Sequence, residues 1–194
     1  MSSVINTAKS RQSAAEPRAR SRLTVRQKRW LLAAHLFFLA AWLGGGLGSL
    51  ALNLRALGTT DPQLLRAIYI FADLLHTTII RGGAGGSLLT GLSLAYFTQW
   101  GLVRFYWIMA KEALTLLAVT TDLIIIRWNS GVVEAISRQG PAVFSSPFYL
   151  GNRGLLFGAS ALQLSLLAVI IVISIFKPWG QRGRLSPSRA QAAA

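Results

Sequence analysis

An uninterrupted apolar run, WLLAAHLFFLAAWLGGGLGSLALNL from Trp30 to Leu54, constrains this chain more than any other feature. A helix of about 25 residues crosses the hydrocarbon layer of a bilayer, which is roughly 30 Å thick. The basic stretch before the run resembles the start of a signal peptide, but the run is too long for a signal-peptide core. We therefore expect a retained transmembrane helix. Three more apolar segments follow, so the predicted fold class is all-α, a four-transmembrane-helix bundle.

The predicted spans are about 30–54, 68–99, 105–127 and 154–176, inside a transmembrane domain of residues 29–180. Tails at 1–28 and 181–194 have too little apolar content to fold and are expected to be disordered. The second segment is overlong and is interrupted by RGGAGG at Arg81 to Gly86. Either its first part lies at or outside the outer surface, or the helix bends there. A tight turn, Trp100 to Arg104, precedes span three, and a polar loop at 129–154 precedes span four.

The basic residues indicate both the partner and the orientation. The chain has 20 Lys and Arg against 6 Asp and Glu, a net charge of +14. These charges flank the spans rather than forming one patch, so we expect a lipid bilayer as partner, with anionic lipids at the tails and no nucleic acid. Most of them fall in the two tails and in the Trp100–Arg104 turn. The positive-inside rule then places both termini in the cytoplasm, with the protein in the plasma membrane.

Ionisable residues inside the spans are the best candidates for chemistry, because each is costly in lipid. His35 lies five residues beyond Trp30, and Lys111 lies seven beyond Arg104, so both are on the order of 10 Å from the cytoplasmic boundary. Trp42 is on the His35 face two turns further in. Together with Glu112, these residues form the predicted inner site.

A second group belongs to the outer half and contains Asp73, His76, Arg81 and Asp122. Asp73 and His76 are three residues apart and can pair on one helix face, near the membrane interface. Asp122 is predicted to pair with Arg81 or Arg127.

The two histidines lie at opposite depths, which argues against one haem held by both. A haem held by His35 alone stays open, with Lys111 beside the propionates or as the sixth ligand. The alternative is that His35 only bonds to a neighbouring helix. No other metal site is predicted, and the absence of cysteine excludes thiolate sites. The sequence also shows no nucleotide-binding loop, no HExxH and no Ser-His-Asp pattern, which argues against kinase or hydrolase chemistry.

Two GxxxG pairs, Gly44/Gly48 and Gly82/Gly86, are typical of close helix packing. They predict contacts within the bundle, a homo-oligomer, or a surface against which the edge of a cofactor lies.

Short motifs resemble known membrane families. HLFFLAAWLGG, from His35 to Gly45, resembles the His-x6-Trp-x-Gly opening helix of copper-resistance D-like and HemJ-like proteins. SLLTGLSLAYFTQWGLVRFYWIMAKEALTL, and KPWG after the last span, resemble small bacterial four-span membrane proteins of unknown function. HemJ-like proteins are similar to haem-b-binding protoporphyrinogen oxidases with a functional first-helix histidine and a later membrane lysine. The resemblance implies these roles for His35 and Lys111.

The first hypothesis is therefore that the inner site binds haem b, or another tetrapyrrole or quinone, in a membrane redox step. The second is a channel or carrier for a small solute or ion, with Lys111 and Asp122 lining a polar path. A third is a scaffold subunit that assembles through the GxxxG faces. The sequence leaves open whether the protein is an enzyme.

Overall fold

The computed structural model describes residues 23–98 and 102–179. Residues 1–22 of the first predicted tail, residue 180, the second predicted tail (181–194) and residues 99–101 near the predicted turn lie outside this range. Residues 25–28, predicted to belong to a disordered tail, instead form the first turn of a helix. The described chain is helical, which confirms the all-α class. Its elements are α1 (Val25–Leu57), α2 (Pro62–Leu74), a π-helical segment (Leu75–Ile80), α3 (Arg81–Phe97), α4 (Tyr106–Gln139), a 3₁₀ turn (Gly140–Ser145) and α5 (Pro147–Phe176).

The helices form an antiparallel bundle in which α2, the π segment and α3 make one continuous rod, Pro62–Phe97. Helices α1 and α4 begin at one end of the bundle, and helices α3 and α5 terminate there. We call this end the tail end and the opposite end the loop end. Helix α1 packs mainly against α3 and α5, while α4 packs mainly against α5 and α2. Contacts between α3 and α4 are few. The bundle is therefore least tightly packed between α3 and α4, toward the tail end.

The surface of the bundle is apolar and much of its interior is polar. Phe37, Leu89 and Phe176 expose about 70% of their area, whereas His76 and Asp122 are almost fully buried. This is the reverse of a protein folded in water, in which polar groups face outward. Three helices in the described range are long and apolar enough to cross a membrane, namely Val25–Leu57, Pro62–Phe97 and Pro147–Phe176. The chain thus has the properties of a membrane protein.

Local capping fixes where two helices begin. The Thr24 side chain accepts from the Gln27 amide at 3.2 Å, and the Gln27 side chain accepts from the Thr24 amide at 2.9 Å. This capping box starts α1 before the apolar run, so the first turns carry basic residues. Asp61 caps α2 by accepting from the Gln63 amide at 2.9 Å, and Pro62 follows at the first helical position.

Two predictions about the connections were wrong. The polar loop expected at 129–154 is mostly helix, because α4 continues to Gln139 and α5 already begins at Pro147. The RGGAGG stretch does not break the second rod either, since it forms the start of α3. The irregularity lies just before it, in the π segment.

The glycines of α1 and α3 explain why RGGAGG is helical. A Cβ at Gly83 would lie 2.6 Å from the Trp42 amide nitrogen, so the α1 backbone passes directly over this position. The ring of Phe38 similarly covers Gly86. Helices in lipid associate through such close contacts, which only a residue without a side chain permits.

In each predicted GxxxG pair, one glycine faces the inside of the bundle and the other faces the outside. Gly48 faces Leu75 of the same chain, and Gly86 faces α1, whereas Gly44 and Gly82 have open space around them. The predicted packing within the bundle is therefore present at one glycine of each pair. Assembly of two copies through these glycines stays a prediction.

Candidate functional site

A cavity of about 540 Å³ lies at the tail end, between α1, α3, α4 and α5. Its wall is mainly aliphatic and aromatic. All four residues of the predicted inner site line it. The polar and aromatic lining residues are Lys28, His35, Trp42, Ser87, Thr98, Trp107, Lys111, Glu112, Thr115, Ser174 and Lys177. An apolar cavity with a few convergent polar groups is the usual form of a small-molecule site, and this volume falls within the typical range of about 300–1,000 Å³.

His35 is held on the cavity wall by α3. Its Nδ1 lies 3.0 Å from the Thr90 hydroxyl oxygen, and that hydroxyl donates to the Gly86 carbonyl at 2.6 Å. A hydroxyl has a single proton, so while Thr90 donates it to the Gly86 carbonyl, the Thr90 oxygen accepts from Nδ1–H. In the neutral ring, Nε2 then carries the free electron pair. This is the form in which histidine binds a metal, with the outer hydrogen bond fixing the ring orientation.

Gly91 brings His35 and Lys111 to the same level. A Cβ at this position would lie 3.1 Å from His35 Cε1 and 3.9 Å from the Lys111 ammonium nitrogen. Both side chains therefore approach the bare backbone of α3 from neighbouring helices, as the depth argument predicts. Any larger residue at Gly91 would separate them.

Trp42 and Glu112 each bring a buried polar atom that lacks a protein hydrogen bond. The indole nitrogen of Trp42 and one carboxylate oxygen of Glu112 are the two such atoms on the cavity wall, within the described residues. Lys111 and Glu112 form no ion pair with each other in that range. Buried polar groups are normally satisfied, so these atoms are available to a ligand or to water.

The tail end of the cavity is basic. Lys28 comes from the first turn of α1, and Lys177 follows the last turn of α5. The Lys177 ammonium lies 5.8 Å from the centre of the Trp107 ring, within reach of a cation–π contact. With Lys111 deeper inside, the cavity carries three cations against the single carboxylate of Glu112. Its electrostatics favour an anionic or carboxylate-bearing ligand.

A separate polar cluster fills the middle of the bundle. His76 Nδ1 lies 2.6 Å from Asp122 Oδ1, and His76 Nε2 lies 2.7 Å from the Ser49 hydroxyl. Gln163 donates to the same Asp122 oxygen at 3.4 Å. Beside this chain, the Asn53 amide donates to the Ser160 hydroxyl at 3.0 Å. All six residues are at most 3% exposed.

The cluster corrects several predictions. His76 is buried, and it pairs with Asp122 rather than with Asp73. Asp122 accordingly pairs with neither Arg81 nor Arg127. The reason is that His76 continues the buried face of α2, four residues after Ala72, whereas Asp73 lies to one side of that face and is half-buried. Asp73 instead accepts a long 3.5 Å bond from Ser130, and Arg81 is exposed.

Sequence reasoning also missed that Ser49, His76 and Asp122 form a hydrogen-bonded chain. Its connectivity matches the serine-hydrolase triad, with the hydroxyl at Nε2 and the carboxylate at Nδ1. However, none of the three residues lines the tail-end cavity. Depth along the helices could have indicated that Ser49 and Asp122 lie at the same level. Ser49 lies two turns beyond Trp42, and Asp122 lies two turns beyond Thr115. Ser160 and Gln163 of α5 bond to side chains of other helices, whereas Ser165 bonds only to the Ala161 carbonyl of α5 itself.

No group of three or more His, Cys, Asp or Glu side chains within the described range is placed to hold a metal ion. Comparison with known protein families, curated proteins and solved structures finds no match for this chain.

Proposed function

We propose that the chain spans the membrane four times, with both termini in the cytoplasm. In this arrangement α4 also crosses the membrane, in addition to the three apolar helices named above, although it carries Lys111, Glu112 and Asp122. The supporting observation is that these three line the cavity or the central cluster, while the exposed positions of α4 include Leu116, Leu117, Leu123 and Ile124. An intramembrane charge is tolerated when it faces the bundle interior.

The cysteine-free chain makes this topology testable with single cysteines. Thr60 and Ser145 lie in the loop-end connections, and Val103 lies in the tail-end turn. In intact cells, a membrane-impermeant maleimide is expected to label Thr60→Cys and Ser145→Cys but to label Val103→Cys only after lysis. Labelling of Thr60→Cys and Ser145→Cys on opposite sides would exclude α4 as a span.

We further propose that the tail-end cavity binds haem b, or a related tetrapyrrole or quinone, in a membrane redox step. The observation that carries this proposal is the geometry of His35, whose Nδ1 is 3.0 Å from the Thr90 hydroxyl at the wall of an apolar cavity. Bound haem b would supply one-electron redox chemistry. His35 would ligate the iron through Nε2, and Lys28 and Lys177 would hold the propionates at the tail end. Lys111 serves as the second inner contact.

The residues present fit such a group in three respects. The wall is apolar, a histidine nitrogen with a free electron pair lies on it, and cations lie at its tail end.

The test is an absorption titration of detergent-purified protein with haem. A Soret band is expected for the wild-type protein and its loss for His35→Ala. Thr90→Val removes the acceptor of Nδ1 and should weaken binding about 10–100-fold, as is typical for outer-shell partners of metal-binding histidines. Thr120→Val is the matched control, since Thr120 faces outward and bonds only within α4. A wild-type protein without a Soret band, or His35→Ala with an unchanged one, would refute the haem proposal.

The channel or carrier alternative receives less support in its original form. A polar path from Lys111 to Asp122 would have to cross a buried apolar layer that includes Trp42, Ile80 and Leu167. Asp122 lies beyond that layer and does not line the cavity. Substitution of both Lys111 and Asp122 without loss of any transport phenotype would eliminate this path.

A further inference from the structure

The central cluster is independent of the cavity and has no role in the proposed cofactor site. We propose that Ser49, His76 and Asp122 form an occluded proton-binding site, through which the protein carries protons across the membrane. Four elements meet at this site, namely α1, the π segment, α4 and α5.

The first argument is charge balance. Asp122 and His76 are the only ionisable groups in the hydrogen-bonded cluster, since α1 contributes Ser49 and α5 contributes Gln163, both neutral. A neutral His76 beside an ionised Asp122 would leave one uncompensated negative charge deep inside the bundle. One added proton makes the pair neutral, and this state avoids the cost of a buried net charge.

The charged groups on neighbouring elements do not change this balance. Asp73 on α2 is half-buried and is bonded to Ser130, and Arg81 and Arg127 are exposed. Tyr69, two turns before His76, offers its backbone carbonyl to Asn129. Among the described residues, no cation other than His76 itself lies within ion-pair distance of Asp122.

The second argument is that Ser49 matches both protonation states. When the pair holds the proton, Nε2–H donates to the Ser49 oxygen at the observed 2.7 Å. When the proton leaves, Nε2 gains a free electron pair and the Ser49 hydroxyl can rotate to donate to it. The bond between His76 and Asp122 is preserved in both states. A carbonyl at this place would satisfy only the protonated ring.

The third argument is position. Apolar layers close the cluster on both sides, with Trp42, Ile80 and Leu167 toward the tail end and Ile125 and Leu156 toward the loop end. His76 itself lies on a π segment, a rare helical form found frequently at functional sites. Proton release therefore requires one apolar layer to open, and the irregular turn is the natural place for that movement.

Proton binding can be read directly by NMR, because the chain contains only two histidines. In ¹⁵N-histidine-labelled His35→Gln protein, the remaining signal belongs to His76. At neutral pH we expect a neutral pair, seen as either a doubly protonated His76 ring or a protonated Asp122 carboxyl in ¹³C-aspartate spectra. Asp122→Asn should leave His76 singly protonated, and Asp73→Asn should leave it unchanged. A neutral His76 beside an ionised Asp122 would overturn the proposed site.

Proton movement is tested with full-length protein in liposomes that contain a pH-sensitive dye, under a potassium diffusion potential. Wild-type protein should acidify the lumen faster than empty liposomes do, and Asp122→Asn should abolish the difference. Ser49→Ala, which removes only the hydroxyl, should slow the acidification of the lumen, whereas the Asp73→Asn control should keep the wild-type rate. Gel filtration and helical circular dichroism check that each variant is folded. A wild-type rate equal to that of empty liposomes would overturn translocation.

Discussion

Gly83 lies where α3 and α1 approach each other most closely, and its replacement by alanine tests whether this contact holds the bundle together. The added Cβ would lie 2.6 Å from the Trp42 amide nitrogen and 2.9 Å from the Phe38 carbonyl oxygen. Ordinary contacts are 3.4–4 Å, so the two helices must separate by at least 0.8 Å (3.4 minus 2.6). Both obstacles are backbone atoms of a helix, and no side-chain rotation can relieve them.

The expected cost of this separation is about 1–3 kcal/mol, the usual range for an overpacked core. Replacement of a helical glycine by alanine also contributes a gain of about 0.5–1 kcal/mol. Gly82→Ala measures that gain alone, because nothing lies within 4 Å of a Cβ at Gly82. The two variants should therefore differ by about 1–3 kcal/mol, with Gly83→Ala the less stable.

The assay is reversible unfolding in mixed micelles with increasing SDS, followed by circular dichroism. The same samples should show an altered Trp42 environment in Gly83→Ala, since Trp42 is only 1% exposed and lies on the displaced segment. Equal or greater stability of Gly83→Ala relative to Gly82→Ala would show that α1 and α3 do not pack in this way.

Three further predictions use the same unfolding assay. Asp122→Ala should cost about 1–3 kcal/mol, because it leaves the buried Nδ1 of His76 without its hydrogen-bond partner, whereas Asp73→Ala, which loses one long bond to Ser130, should cost far less; similar losses would contradict the central cluster. Asn129→Ala should cost about 0.5–1.5 kcal/mol by removing the side chain of α4 that donates to the Tyr69 carbonyl of α2, and a neutral effect would contradict this contact between α2 and α4. Arg138→Ala removes an exposed pair with Glu134 and should change stability by less than about 0.5 kcal/mol.

The apolar helices could be predicted from sequence because their signal is local. The run after Trp30 needs no tertiary information to be recognised as a span. The connection between α4 and α5 could not be predicted in the same way, because Gly131 and Asn129 are weak helix formers. In the structure, tertiary contacts compensate for this low helix propensity. The Phe148 ring packs against Gly131, and the Asn129 side chain donates a hydrogen bond to α2.

The inner site and the central cluster differ in predictability for a geometric reason. His35 and Lys111 could be matched because depth along a regular helix increases by about 1.5 Å per residue, whatever the packing. Depth alone does not fix direction around the helix axis. His76 continues the buried face of α2, four residues after Ala72, but tertiary packing decides which helix that face meets. The pairing of His76 with Asp122 therefore required coordinates.

The bond between Thr90 and His35 makes the position of the imidazole proton on His35 depend on how α1 and α3 are placed relative to each other. The direction in which the Thr90 oxygen accepts is set by its own bond to Gly86 within α3, so the acceptor moves with that helix as one body. A slide of α3 along α1 by a single residue rise, about 1.5 Å, is enough to break a 3.0 Å hydrogen bond. The imidazole is then free to adopt either tautomer. Bilayer thickness and lateral pressure, which alter how helices tilt and slide, would thereby act on the chemistry of one nitrogen atom.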